Sequence, residues 1–111
     1  MSNAGMAARW AKALEERDVA AFRTLFNPEA SVWQSTTNAS HSAKDGLDGI
    51  EKRGGLPEFT NIRTPVTEWG FICQTSTVHN GQRLHLAQFL WVRGDKITKE
   101  EEYICWQASG S

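Results

Sequence analysis

Apolar positions along the first quarter of the chain recur at the spacing of a helix. Met6, Ala7, Trp10, Ala11 and Leu14 share one face, while Arg9, Lys12, Glu15 and Glu16 fall mostly on the other, which predicts an amphipathic helix. Asp18 can cap a second helix, VAAFRTLF, whose Val19, Phe22, Leu25 and Phe26 again share a face before Asn27-Pro28 stops the turn. The period then changes. ASVWQSTT is β-branched and aromatic and reads as a strand, followed by a polar loop, NASHSAKDG. Ser42 or Asp45 can start a short third helix carrying Leu47 and Ile50, and Arg53-Gly54-Gly55 closes it, because glycine accepts the left-handed conformation at a helix C-terminus.

The remainder reads as sheet. IRTPVTEW, FICQTSTV, QRLHLAQFLWV and ITKEEEYICW are four β-like runs, the last three joined by the turn signals HNGQ and RGDK. The expected order is helix, helix, strand, helix and then an antiparallel meander, in one α+β domain.

Alternation within QRLHLAQFLWV separates two faces. Leu84, Leu86, Gln88, Leu90 and Val92 point one way, and Arg83, His85, Ala87, Phe89, Trp91 and Arg93 the other. The aliphatic set belongs to the interior, which makes Gln88 a polar exception that must find hydrogen bonds from protein, water or ligand. Phe89 and Trp91, with His85 beside them, leave an apolar outer patch better suited to a partner subunit than to water, so a homodimer is expected. Glu100, Glu101 and Glu102 alternate faces on a strand and cannot converge on a metal. The expectation for them is a charged surface that discourages edge-to-edge pairing.

Composition narrows the function classes. At 111 residues the chain is the size of one domain, and 12 Lys+Arg against 13 Asp+Glu, scattered, give no footprint for nucleic acid. No stretch approaches the ~20 apolar residues of a membrane span, and no secretory signal is recognisable, so a cytoplasmic protein is expected. Two cysteines without CxxC spacing, Cys73 and Cys105, are expected reduced. On the same grounds Asn38-Ala39-Ser40 is an ordinary loop and not a glycosylation site. The histidines and acids lack a metal spacing, so no metal and no cofactor are expected.

The segments LEERDVAAFRTLFNPEASVW, KDGLDGI and WVRGDKITKEEEY, in that order, resemble the SnoaL-like branch of the nuclear transport factor 2-like, ketosteroid isomerase-like superfamily. The resemblance covers about residues 6 to 106. Residues 1–5 are read as a tag remnant or disordered start, and 107–111 as a tail. The resemblance implies a cone-shaped barrel, a curved antiparallel sheet wrapped over the N-terminal helices, with an apolar pocket and dimerisation through the outer sheet face. Arg93-Gly94-Asp95 then becomes a hairpin turn and not an adhesion motif.

Residue by residue, the resemblance puts the isomerase tyrosine on Trp10 and its neutral acid on Gln88. The base falls between Gln34 and Asn38, where there is no carboxylate. Trp10 N–H and the Gln88 amide could still grip a carbonyl or carboxylate oxygen as neutral donors, with Trp33 and Gln34 nearby. Helical spacing alone would also make Trp10 a core residue. Where many SnoaL-like chains carry Tyr-x-Asp this one has Tyr103-Ile104-Cys105, and the water-activating positions of limonene epoxide hydrolase-like relatives look like Thr75, Thr77 and Cys105. His41 remains as a candidate catalytic base, since an imidazole titrates near neutrality. The expected ligand-binding set is therefore Trp10, Trp33, Gln34, Gln88, Tyr103 and Cys105. Three functions stay open: a small-molecule-binding cone for an apolar carbonyl or carboxylate compound, an isomerase- or cyclase-like proton-transfer enzyme, and a dimerisation module with a filled cone.

Overall fold

A computed structural model describes residues 2–108. Helix α1 runs Asn3–Glu16, with Ser2 Oγ accepting from the Gly5 N–H, and it ends at Arg17 in the left-handed conformation (φ 52°). It thus begins before Met6, and Asn3–Gly5 are helical where a disordered start was expected. Asn3 Nδ2 also donates to the carbonyls of Thr67 and Glu68, tying the helix to the distant sheet. Asp18 accepts from Ala21 N–H and caps α2, Val19–Leu25.

The chain passes from α2 straight into β1, Phe26–Gln34, so Asn27-Pro28 lies within a strand. The register of β1 shifts between Phe26 and Ser31, and a proline is tolerated where ladder hydrogen bonds are interrupted. Part of the polar loop is strand as well. After a turn through Asn38 (φ 50°), β2 (Ala39–Ser42) folds back antiparallel on β1. Ser42 then caps α3, Ala43–Lys52, by accepting from Asp45 N–H. The remaining strands are β3 Thr60–Arg63, β4 Gly70–His79, β5 Gln82–Arg93 and β6 Lys96–Trp106.

The six strands form one open sheet in the order β2-β1-β6-β5-β4-β3. It is mixed where an antiparallel sheet was expected, because β1 runs parallel to β6. The last strand is therefore central, paired on both sides. A bulge between Trp91 and Val92 of β5 leaves Thr98 of β6 as an extra residue, which reverses the inward and outward positions beyond it.

Helices cover the concave face. Trp10 of α1 stands edge-on to Phe22, Phe26 and Phe71, with ring centroids 4.6, 5.8 and 5.8 Å away. Met6, Leu25, Phe71, Leu90 and Ile97 are fully buried around it, each contributing roughly 1.5–3 kcal/mol by leaving water. Gly70 fits where no side chain could, since a Cβ there would lie 1.9 Å from the Leu90 carbonyl oxygen. Arg93-Gly94-Asp95 spans the β5–β6 hairpin, with Gly94 at φ 62°. Among the described residues no helix is long and apolar enough to cross a membrane.

Candidate functional site

A cavity of about 530 Å³ lies between the concave face and the helices. Strand register arranges the sheet beneath it in two rows. The first runs His41, Val32, Glu100, Leu90, Phe71 across β2, β1, β6, β5 and β4. The second runs Gln34, Glu102, Gln88, Cys73 across β1, β6, β5 and β4.

Glu100 is only 5 % exposed, and its side chain makes no hydrogen bond or ion pair among the described residues. Its row neighbours are aliphatic. Burial, followed by the nearby charge of Glu102, pushes its pKa well above the usual carboxylate range, because an ionised carboxyl there would lack both solvent and a counter-ion. Glu102 has different surroundings. Its Oε1 accepts from Gln34 Nε2 at 2.9 Å and its Oε2 from Gln88 Nε2 at 2.8 Å. Two carboxyl groups thus share one strand face in unlike environments, one held by a pair of amides and one facing apolar walls.

This overturns the surface reading of the glutamate run. Counting by two from buried Ile97 would send Lys99, Glu101, Tyr103 and Cys105 inward, but the extra Thr98 turns Glu100 and Glu102 in and those four out. Glu101 alone keeps the expected role, paired on the outer face with Lys99 at 3.5 Å.

Trp10, Gln34, His41 and Gln88 all line the cavity. Gln88 differs from its expected part as a donor. Its amide nitrogen is committed to Glu102, and the buried Oε1 has no partner among the described residues. Trp10 Nε1 is likewise buried and unpaired; it is close enough to the Cys73 sulfur to favour the thiolate slightly, yet no full hydrogen bond forms. Burial dominates at Cys73 and pushes its thiol up to about 12, so it stays protonated and inert.

Trp33, Tyr103 and Cys105 lie outside the cavity, a correction to the expected ligand-binding set. Trp33 pairs with Glu101 on the convex face, and its ring lies 5.2 Å from that of Tyr103. Tyr103 in turn meets Phe89 at 5.9 Å, and Trp69 stacks on Trp91 at 4.8 Å with Lys99 above the Trp91 ring. His85 sits on this face between Ser76 Oγ (2.9 Å) and Gln107 Oε1 (3.0 Å). Thr75 and Thr77 spend their hydroxyls on the carbonyls of Thr60 and Glu58. Among the described residues no cluster of three His, Cys, Asp or Glu could hold a metal ion.

Sequence reasoning missed Glu100, Glu102 and Arg53, which also borders the cavity. An alternating Glu-x-Glu beside apolar residues was the available signal for the first two.

A helix-lined concave sheet with acids at its floor can be compared with known proteins. No protein-family model and no curated protein sequence matches the chain. In structure it is similar to an NTF-2 like protein of unknown function from Burkholderia xenovorans, with TM-score 0.79 and 17 % identity over 94 % of this chain and 82 % of that one. A putative ketosteroid isomerase from Kribbella flavida superposes with TM-score 0.76 and 13 % identity, covering 98 % and 80 % of the two chains. IdmH, a putative polyketide cyclase from Streptomyces antibioticus, gives 0.67 and 13 %, covering 94 % and 92 %. The fold is NTF2-like and ketosteroid isomerase-like. Within that fold the cone is open at the β2 and β3 edges, and the polar groups of its floor come from β1, β5 and β6.

Proposed function

We propose that the protein binds a small apolar molecule through a carbonyl group and moves a proton beside that carbonyl. The observation that carries this reading is the pair of unlike carboxyls on β6, Glu100 unpartnered in an apolar row and Glu102 held by Gln34 and Gln88. Carboxyls in unlike surroundings can serve as acid and base in one reaction. Glu100, retaining its proton, donates to the carbonyl oxygen as charge develops there, and Glu102 accepts the proton from the adjacent carbon. Aromatic walls from Trp10, Phe22 and Phe26 exclude water and favour an apolar body. His41 lines the same space and is the alternative base.

Deuterium exchange in heavy water tests this directly, because abstraction beside a ketone replaces its α-protons whatever the later fate of the product. Aryl and alicyclic ketones should lose their α-proton NMR signals faster with the protein than without it. Glu102→Gln should lower that rate by about 10²–10⁴-fold, the usual contribution of a positioned base. Full activity in Glu102→Gln with loss in His41→Gln would transfer the base to His41, and no exchange in the wild type would leave binding alone.

A second reading concerns assembly. The convex face carries a nearly continuous aromatic run, Trp33, Tyr103, Phe89, Trp91 and Trp69, which favours burial against a second copy of the chain.

A further inference from the structure

Helix α3 borders the cavity through two glycines three positions apart, Gly46 and Gly49, which therefore lie on one helix face. Each makes room for a basic side chain. A Cβ on Gly46 would lie 2.8 Å from His41 Nε2, and one on Gly49 would lie 3.2 Å from Arg53 Nη1. The imidazole and the guanidinium thus each lie over a glycine of one helix face, at the cavity's border.

The acids elsewhere on α3 are committed. Asp48 is held by Arg23 at 2.7 Å and Lys44 at 2.8 Å, and Glu51 by Arg23 at 3.0 Å. Arg53 itself makes no side-chain hydrogen bond or ion pair among the described residues, although it lines the cavity. Asp45 borders the same space four positions before Gly49, roughly 6 Å along the helix from the turn that carries the guanidinium, and forms no ion pair with it among the described residues. A planar, permanently charged fork at the opening of an apolar cavity suits a carboxylate, which it can engage through two parallel hydrogen bonds.

We propose that the ligand is a keto acid, with an apolar body, a ketone reaching the Glu100–Glu102 floor, and a carboxylate gripped at the mouth by Arg53 beside His41. This rests on the carbonyl reading above and adds the second polar group. Arg53 becomes the residue that sets specificity, and Gly49 positions it.

Calorimetric titration with three probes of one shape separates the two ideas: 4-oxo-4-phenylbutanoate, its methyl ester, and butyrophenone, which keeps the ketone but lacks the acid. The acid should bind about tenfold more tightly than the ester at low salt, and the margin should shrink as salt is raised. Arg53→Met should erase that margin while leaving the ester's affinity unchanged, and Arg53→Lys should keep part of it. Gly49→Ala, which crowds the guanidinium without removing it, should weaken the acid alone. Equal affinities for acid and ester, or a preference that survives Arg53→Met, would overturn the proposal. Binding of butyrophenone alone would overturn it and leave the carbonyl reading standing, whereas no binding of any probe would remove both.

Discussion

Glu100 links the cavity to stability. Folding keeps its proton bound at pH values where the unfolded chain, with an ordinary value near 4.5, has released it. The unfolded state then binds fewer protons than the folded one, so stability falls as pH rises from about 4.5 towards the raised folded pKa, by about 1.4 kcal/mol per pH unit inside that window. Glu100→Gln removes the linkage. Its melting temperature should equal or fall below that of the wild type at pH 4.5 and exceed it at pH 8, with a gain of about 4–8 °C for each kcal/mol in a domain near 100 residues. A wild-type melting curve that does not shift between these pH values would show that the carboxyl ionises freely. The amides at Glu102 carry a related lesson. Gln88 was visible as a polar interruption of an apolar face and Gln34 only through the family resemblance, and the partner they share could not be read from either strand by itself.

Among the elements, the helices were the most legible because a helix face is written locally. Trp10, Leu14, Phe22 and Leu25 occupy the buried positions that their spacing predicts. Strand β5 was legible for the same reason, with Leu84, Gln88 and Leu90 buried in alternation. Strand β6 was not, because its facing depends on one extra residue at Thr98 and on two partners remote in sequence. Deleting Thr98 should remove the bulge while Ile97 stays inward, Lys99 outward and Glu100 inward, because the deleted residue is the one with no partner on β5. The change should cost less than about 3 kcal/mol, read as the denaturation midpoint. A larger loss would mean that Lys99 and Glu101 had been turned inward with their charges. Gly70 is a second strict position. Gly70→Ala places a methyl group on the Leu90 carbonyl and should cost at least about 2 kcal/mol through separation of β4 from β5.

For the whole molecule, the proposed dimer rests on the outer sheet face. Its aromatic run was anticipated in part, through Phe89 and Trp91, whereas Trp33 and Tyr103 were assigned to the opposite side. In a two-fold dimer the patch meets its own copy, so Trp91→Glu introduces a charge on both sides of the contact and should shift the protein to monomer. Light scattering at high micromolar concentration reads the outcome. A wild-type monomer would remove the dimer, and a dimer indifferent to Trp91→Glu would place the contact elsewhere. The parallel pairing of β1 with β6 sets a further limit, on the order in which the molecule can form. Gln34 and Glu102 are 68 residues apart, so β1 waits for nearly the whole chain before its inner neighbour exists. Long loop closure of this kind slows folding. During synthesis the helices and the β4–β5 hairpin can form first, while β1 leaves the ribosome with one edge unpaired and exposed to other chains. The acidic floor, completed by β6, is then among the last parts to acquire its native surroundings.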